Sequence, residues 1–304
     1  RIQTLNIPAK TKLETARFLE NNILPENKQY LYDHYFENCS TRLRDILNIA
    51  SGGRLKDVST ESAGYTFREI TRRFSGSHFL EDTLLMFLMS GVIDEPMTEW
   101  QTMFLPVELE LLLDETMVTN EEGQTVPFVN DKITWFRSEG RDSVPSRARS
   151  AVPASIGIGL GMGLLTTLAF ILFRKRRTGA HVFFGAASML AGIVIGIPGL
   201  LLCFMALFTD HNVTFWNENL FFANPLTFLA LPLGIAAVSG ARWGKKLLAW
   251  LWIGLTAVFL LYLILKIIPA FNQQNWNVIA LLLPLYGALA YGAYTRILKA
   301  PETL

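Results

Sequence analysis

Charged residues are scarce in this sequence, at 17% of 304 residues, whereas about 25% is usual for soluble domains. They are also unevenly distributed. The net charge is −6 over residues 1–149 and +7 over residues 150–304, where Asp210, Glu218 and Glu302 are the acidic residues. The absence of a broad basic face argues against nucleic acid as a partner. The hydrophobic content of 51% excludes a disordered chain.

Cysteine and histidine are few, with two and four residues respectively. Cys39 lies in the more polar half and Cys203 within an apolar run, which argues against a mutual disulfide. No second cysteine and no closely spaced histidine pair accompanies Cys39, so the sequence does not predict a metal site. Cys203 is interpreted as a small buried hydrophobic residue, the usual state of a free cysteine.

The second half contains five long apolar runs of the length that spans a bilayer. Such a series exceeds what a soluble core needs, and it predicts a membrane-embedded domain. The five runs are Ile156–Phe173, Val182–Phe208, Leu220–Ala241, Leu247–Leu265 and Val278–Thr295.

The short loops between these runs predict the orientation, because lysine and arginine favour the cytoplasmic side. Basic residues follow the first, third and fifth runs, whereas the loops Thr209–Asn219 and Phe271–Asn277 have none. This pattern places residues 1–150 and both of those loops outside the cytoplasm and the C-terminus inside. Lys266 is the exception, and its side chain is expected to extend to the outer surface.

Glycines recur at four-residue spacing in the apolar runs, as Gly157/Gly161, Gly159/Gly163 and Gly192/Gly196. Such spacing allows helix backbones to approach closely in lipid. Because these glycines lie inside apolar spans with no preceding strand, they are not interpreted as a nucleotide-binding loop.

A helix is predicted directly after Asn38 in the first half. Apolar residues follow the spacing of one helix face, the run Ser51-Gly52-Gly53 stops it, and Asn38 is a favourable N-cap. Cys39 would then lie in the first turn, where unpaired N–H groups and the helix dipole favour a thiolate. Arg42 and Arg44 would add positive charge nearby. Cys39 is therefore a candidate nucleophile, although a lone cysteine at a helix start is more often structural.

The residues around Cys39 resemble a known family. The segment Asn38-Cys39-Ser40-Thr41-Arg42-Leu43-Arg44-Asp45, preceded by Pro25-Glu26-Asn27 and the tyrosine-rich Tyr30–Tyr35, is similar to the signature of the Lnb periplasmic domain. Asp94 and Phe104-Leu105-Pro106 fit the same domain. Asp210-His211, Asn217-Glu218-Asn219-Leu220 and Asn224-Pro225-Leu226 resemble the outer loops of the Lnb-like transmembrane domain.

The resemblance implies lipoprotein N-acylation by a soluble domain similar to permuted papain-like acyltransferases. In that chemistry the thiolate of Cys39 accepts an acyl chain from a phospholipid as a thioester. The α-amino group of a diacylated lipoprotein then takes the chain, without a metal or a diffusible cofactor. Asn38 and nearby backbone N–H groups would support the oxyanion, and Arg42 is a further candidate catalytic residue. The residues expected to bind substrate are Thr41, His211, Asn217, Asn219 and Asn224.

The catalytic histidine is where this sequence departs from the family. The Gly-His segment expected well upstream of the cysteine is absent, and the sequence opens with Arg1 and shows no signal peptide. Sequence upstream of Arg1 is therefore expected to be missing or to have been removed, and either the histidine lies there or another histidine serves. His34 is a weak candidate, only five residues before Cys39. His78 is interpreted as an exposed loop residue, and His181 would lie on the cytoplasmic side. The polar cluster around His211 either binds a lipid headgroup or caps the second and third spans.

Together these observations predict an α-helical integral membrane domain of five spans, residues 151–304. It is preceded by part of a papain-like (permuted, α+β) extracytoplasmic catalytic domain, residues 1–150. The expected location is a bacterial inner membrane, with the catalytic domain on the periplasmic side. Two alternatives remain: a membrane-anchored cysteine peptidase or amidase, and a non-enzymatic membrane receptor or assembly factor with a structural Cys39. A transporter is weaker, because the spans hold few of the charges that mark a transport pathway.

Overall fold

The computed structural model describes residues 1–137, 139–140, 143–173 and 177–298. The basic residues Arg174, Lys175, Arg176 and Lys299, on which the predicted orientation partly depends, lie outside this described part. The chain forms two compact units. The first contains residues 1–70 and 95–145, and the second contains residues 71–94 and the chain from 146 onward. These units differ from the division expected at residue 150, because residues 71–94 pack with the membrane helices.

The described residues form twelve α-helices in chain order. Their bounds are α1 Ala9–Asn22, α2 Cys39–Ala50, α3 Arg54–Asp57, α4 Phe67–Ser75, α5 Phe79–Leu88, α6 Glu99–Thr102, α7 Pro106–Glu115, α8 Val152–Leu172, α9 Arg177–Phe208, α10 Ala230–Val238, α11 Arg242–Leu265 and α12 Trp276–Gly292.

In the described part of the chain, six short strands pair antiparallel and form three two-stranded sheets, β1–β6, β2–β3 and β4–β5. Their bounds are β1 Ile2–Leu5, β2 Ser62–Thr66, β3 Pro96–Thr98, β4 Met117–Thr119, β5 Thr125–Pro127 and β6 Val129–Ile133. In the β1–β6 pair, Ile2 lies opposite Ile133 and Leu5 opposite Val129, with an irregularity after Thr4. The first unit therefore combines helices with small sheets.

The core of the first unit lies between α2, α3, α7 and the strands after α7. Leu55, Met103 and Phe128 are fully buried there, and Leu109 and Leu113 contact the same cluster from one face of α7. Residues 109 and 113 are one helical turn apart and therefore share a face. This packing fixes the carboxyl end of α2, where Ala50 belongs to the same cluster.

Four helices of the second unit are long and apolar enough to cross a membrane. They are Val152–Leu172, Gly179–Phe208, Arg242–Leu265 and Trp276–Thr295, which correspond to the predicted first, second, fourth and fifth runs. The assignment rests on length and composition. The second unit is therefore helical and membrane-embedded, with four such helices, or five if a bent pair is counted as one span.

The predicted third span is not one continuous helix. Two segments, Asn212–Phe221 and Pro225–Val238, meet at a bend of 50°. The break falls at Asn224-Pro225, where Asn224 has an extended backbone with φ −114° and ψ 158°. Proline disfavours a helical conformation in the residue before it and lacks an N–H of its own. The sequence therefore forces two short helical pieces where hydropathy alone predicts one.

Two of the three glycine pairs lie at close helix contacts. A Cβ on Gly163 would come within 2.8 Å of Pro284 in α12, and one on Gly192 within 2.7 Å of the Thr227 carbonyl. The expected close packing is confirmed for these pairs. Gly157 and Gly161 face open space, since a Cβ added to either would have no neighbour within 4 Å, so the expectation is wrong for that pair. Their helix face is half a turn away from the packed one.

Candidate active site

Cys39 is the first residue of α2, and its side chain is exposed. Asn38 before it has an extended backbone, with φ −116° and ψ −177°, as a helix N-cap requires. The helix ends at Ala50, and the chain then turns through Gly52 and Gly53, whose φ values are 66° and 88°. The predicted N-cap, helix and stop signal are confirmed.

The first turn of α2 is closed by a reciprocal capping box. Asn38 Oδ1 accepts hydrogen bonds from the N–H groups of Ser40 at 2.8 Å and Thr41 at 2.9 Å. In return, Thr41 Oγ1 accepts from the N–H of Asn38 at 2.8 Å, and the N–H of Arg42 donates to the Asn38 carbonyl. Asn38 therefore accepts from three N–H groups of this turn, and the N–H of Cys39 is the one that it does not bind.

The Asn38 amide also ties the start of α2 to a distant loop. Its Nδ2 donates to the carbonyls of His34 at 2.9 Å and Phe104 at 3.0 Å. Ser40 Oγ donates to the carbonyl of Met103 at 2.8 Å. Because both amide hydrogens of Asn38 are engaged, its side chain serves as a positioning group. The sequence predicts that the Asn38 side chain donates to the oxyanion, but both of its amide hydrogens are already engaged. Thr41 is fully buried in the same cap.

Arg42 binds the end of α1. Its Nη2 donates to Asn22 Oδ1 at 3.0 Å, its Nη1 lies 3.9 Å from Glu37 Oε2, and its guanidinium lies 5.0 Å from the centre of the Tyr30 ring. The Arg42 side chain is 32% exposed, and its charge is shared with the Glu37 carboxylate. Arg42 thereby holds Tyr30 beside the first turn of α2.

Arg44 is engaged on another face of the helix. Its guanidinium lies 4.1 Å from the Trp100 ring and 2.9 Å from Asp45 Oδ1. The carboxylate of Asp45 neutralises much of its charge. The expectation that Arg44 adds positive charge beside the thiol is not supported by this geometry.

His34 lies in a tight turn before Cys39. The backbones of Asp33 and Glu37 pair with each other, and Asp33 Oδ1 accepts a hydrogen bond from the N–H of Tyr35 at 2.9 Å. The His34 ring meets the rings of Tyr35 and Phe104 edge-on, at centroid distances of 4.7 and 6.2 Å. Partial burial lowers the pKa of His34, and the Asp33 carboxylate opposes that effect. A lowered pKa keeps the imidazole neutral near pH 7, as a general base requires.

Apolar side chains surround this turn without being buried. Leu43 is exposed and lies one helical turn after Cys39 on the same face. Further exposed large side chains precede the cysteine, namely Tyr30, Leu31, Tyr32 and Phe36. Exposed apolar clusters of this kind mark binding surfaces for apolar ligands.

The outer-loop asparagines lie in the second unit, and two of them are buried. Asn217 Nδ2 donates to the carbonyls of Phe87 and Leu88, both at 3.0 Å, and Asn219 Nδ2 donates to that of Phe87 at 2.7 Å. These amides hold the carboxyl end of α5. Their contacts favour the structural interpretation of the loop over direct substrate binding.

The remaining outer-loop candidates are less enclosed. Asn224 Oδ1 accepts from the N–H of Leu226 at 3.0 Å and so caps the short helix after the break. His211 has an exposed side chain, and its carbonyl accepts from the N–H and hydroxyl of Thr214. Of the four outer-loop candidates, His211 is the one whose side chain is presented to the surroundings.

Sequence reasoning missed a buried polar network beside these asparagines. Glu218 accepts from the hydroxyl of Tyr262 at 2.6 Å, from Lys266 Nζ at 3.2 Å and from the N–H of Gln273 at 2.9 Å. Asn275 joins through the Tyr262 hydroxyl. The side chains of Glu218 and Lys266 are 8% and 7% exposed. The expectation that Lys266 extends to the outer surface is therefore wrong: its charge is satisfied internally.

Comparison with family models gives two matches, in the same order as the two halves. The Lnb N-terminal periplasmic domain matches residues 2–73, and the Lnb transmembrane domain matches residues 158–299. Together they cover more than two thirds of the chain. The chain belongs to the Lnb family. No curated protein and no solved structure matches it.

The Lnb assignment makes this a membrane-embedded protein with a periplasmic N-terminal domain. The periplasmic match includes Cys39 and its complete cap. The transmembrane match includes Glu218, Lys266 and their partners. No cluster of three metal-binding side chains occurs within the ranges that the structure describes.

A signal for the missed network was present in this Lnb sequence. Glu218 is an acidic residue within an outer loop, and Lys266 is the single basic residue of the second half at that end of the membrane-spanning runs. Charges placed at membrane depth are usually paired with one another. The pairing of these two could thus have been predicted from their isolation, although their amide partners could not.

Proposed function

We propose that this Lnb-family chain is a lipoprotein N-acyltransferase, with Cys39 as its nucleophile. The observation that carries the proposal is an exposed thiol at the first position of a fully capped helix, within the region that matches the Lnb periplasmic domain. Exposure leaves the sulfur of Cys39 accessible to a substrate carbonyl, as a cysteine nucleophile requires.

In the first half-reaction the thiolate of Cys39 attacks the carbonyl carbon of a phospholipid ester. A carbon–sulfur bond forms, the carbon–oxygen bond breaks, and the lysophospholipid leaves as an alcohol after taking a proton from the general acid. In the second, the α-amino group of a lipoprotein N-terminal cysteine attacks the thioester. An amide forms, the amine proton passes to the base, and the thiolate is regenerated. Two half-reactions through one acyl-enzyme give ping-pong kinetics.

The N–H of Cys39 is the donor we assign to the oxyanion, because Asn38 occupies the other N–H groups of this turn. A preorganised donor of this kind stabilises the charge that develops in acyl transfer. Asn38 and Thr41 act by positioning, and Arg42 joins the first turn of α2 to the end of α1. The exposed side chains Tyr30, Leu31, Tyr32, Phe36 and Leu43 suit an acyl chain as substrate.

The general base is a histidine. Within this chain His34 is the candidate, since partial burial lowers its pKa and it lies five residues before Cys39 in the sequence. The family resemblance favours an upstream histidine of a papain-like domain. A His34→Gln variant that retains acyl transfer would favour the upstream residue.

The donor is a phospholipid and the acceptor a diacylated lipoprotein, both held in the outer leaflet of a bacterial inner membrane. The basic loops of the second half predict that the periplasmic domain lies outside the cytoplasm and that the C-terminus lies inside it. The transmembrane domain would give both lipidated substrates lateral access to the periplasmic domain. His211 is the outer-loop group most available to a substrate headgroup.

The test is mass spectrometry of a diacylated lipopeptide incubated with phospholipid and the full-length protein. We expect a new N-linked acyl chain with the wild type and with Cys203→Ala, and none with Cys39→Ala. Cys203, within α9, is the matched control for loss of a thiol. An unchanged lipopeptide in the wild-type reaction would favour the peptidase or receptor alternatives. Acylation by Cys39→Ala would overturn the assignment of the nucleophile.

A further inference from the structure

Residues 71–94 occupy an unexpected place in the fold. In the chain they interrupt the first unit, yet they pack with the membrane-spanning helices. Within this segment α5 contributes Phe87 to the core of the second unit, in the same cluster as Phe222 and Phe259, and Leu88 packs against that cluster. The carboxyl half of α5 is thus built into the membrane unit.

The end of α5 is capped by side chains from the loops between the membrane helices. The last carbonyls of a helix have no partner within it and normally bind water. Here those of Phe87 and Leu88 accept from Asn217 and Asn219, and that of Met89 accepts from Gln273 Nε2 at 3.1 Å. This end of α5 can therefore lie away from water without unsatisfied carbonyl groups.

Two tryptophans lie next in sequence to residues of the network that caps α5. Trp216 directly precedes Asn217, and Trp276 directly follows Asn275 in the same network. Trp216 is 93% exposed, with φ 55°, and Trp276 is also exposed. Tryptophan side chains are enriched at membrane–water interfaces. Exposed tryptophans beside the residues that cap α5 are what an interfacial position of this end would require.

The outward face of α5 is apolar. Leu80 and Leu84 are 68% and 51% exposed and lie one helical turn apart on one face. Asp82 points inward instead, where its carboxylate accepts from Arg72 Nη2 at 2.9 Å and from Ser75 Oγ at 2.9 Å. Glu81 is exposed at the edge of the leucine face. An apolar stripe with a charged edge is typical of a helix lying in the plane of the interface.

We infer that α5 is an interfacial helix, with Leu80 and Leu84 in contact with lipid on the side of the membrane that carries Trp216 and Trp276. The lipid bilayer is the partner because this face is continuous with the unit that holds the membrane-spanning helices. This inference does not depend on the proposed acyl transfer. Through α5, the first half of the sequence would contact lipid in addition to the membrane-spanning helices of the second half.

The test uses a nitroxide label on the full-length protein in vesicles of phosphatidylethanolamine and phosphatidylglycerol. A single cysteine is introduced as Leu84→Cys, or independently as Leu80→Cys, with both native cysteines replaced. Collisions with oxygen, which partitions into lipid, are compared with collisions with a water-soluble nickel chelate. Matched controls are Leu190→Cys in the membrane helix α9 and Leu111→Cys on α7, both exposed leucines.

We expect the oxygen-to-nickel collision ratio at Leu84 and Leu80 to be severalfold above that at Leu111 and below that at Leu190. A ratio equal to that at Leu111 would place α5 in water and overturn the inference. Low collision rates with both reagents would also overturn it, because they would show that protein covers this face. Since the readout is independent of activity, a failure here leaves the proposed acyl transfer unaffected.

Discussion

Asn38 and Thr41 hold each other at the start of the helix that presents Cys39. The Asn38 side chain accepts from the N–H of Thr41 at 2.9 Å, and the Thr41 hydroxyl accepts from the N–H of Asn38 at 2.8 Å. Both residues are buried, whereas the cysteine between them is exposed. The position of the thiol therefore depends on a hydrogen-bonded pair that does not itself face the substrate.

The Thr41 hydroxyl provides a sharp test of this pair. Thr41→Val keeps the shape but leaves the buried N–H of Asn38 without its acceptor, at a cost of about 1–3 kcal/mol. We expect a lower unfolding temperature of the protein in detergent and slower acyl transfer. Thr41→Ser restores the hydroxyl and should recover both. Equal behaviour of the two variants would show that the capping box does not position Cys39.

The lowered pKa of His34 predicts a dependence of stability on pH. Burial, opposed by Asp33, lowers this pKa below the ordinary value of 6.5, so the unfolded chain binds the proton more readily. His34 therefore reduces stability as the pH falls below about 6.5. We expect His34→Gln to narrow the difference in unfolding temperature between neutral pH and about pH 5. His78→Gln controls for the loss of one imidazole, and an effect as large from that variant would contradict the assignment to His34.

The packing of α8 against α12 gives a matched pair of glycine substitutions. Gly163→Ala would place a Cβ within 2.8 Å of Pro284, whereas Gly161→Ala projects into open space. Alanine is otherwise favoured over glycine in a helix by about 1 kcal/mol. We expect the first substitution to lower the unfolding temperature and the second to leave it unchanged or raise it. The reverse order would show that α8 does not pack as described.

The ion pair between Glu218 and Lys266 should behave as a coupled unit. Removing one partner of a buried pair leaves an uncompensated charge and costs about 3–5 kcal/mol. We expect Glu218→Gln and Lys266→Met each to destabilise the protein, and the double variant to lose less than the sum of the two. A double-mutant cycle of unfolding temperatures measures this coupling. Strictly additive losses would mean that the two side chains do not interact.

Local signals in the sequence predicted the four long membrane helices and the start of α2. A long apolar run is sufficient to predict a membrane helix. An N-cap residue before an amphipathic pattern is sufficient to predict where α2 begins. The break at Asn224-Pro225 was also visible, because proline restricts the residue before it. Hydropathy outweighed that signal and predicted one continuous span.

Long-range contacts were beyond such signals. No local pattern shows that the Asn38 amide reaches Phe104, 66 residues away, or that Asn217 caps α5, 130 residues earlier in the chain. The place of residues 71–94 in the membrane unit could not be predicted for the same reason, since their composition resembles that of the rest of the first half. Side-chain amides can bind carbonyls anywhere in the fold, and only the packing decides which ones.

The most direct test of the central claim is the acyl-enzyme itself. Full-length protein is incubated with phospholipid in the absence of an acceptor, and peptides are then examined by mass spectrometry. We predict one acyl chain on the peptide that contains Cys39, released by hydroxylamine and transferred to a diacylated lipopeptide when that is added. A Cys39 that stays unmodified while the lipopeptide is still acylated would contradict the account.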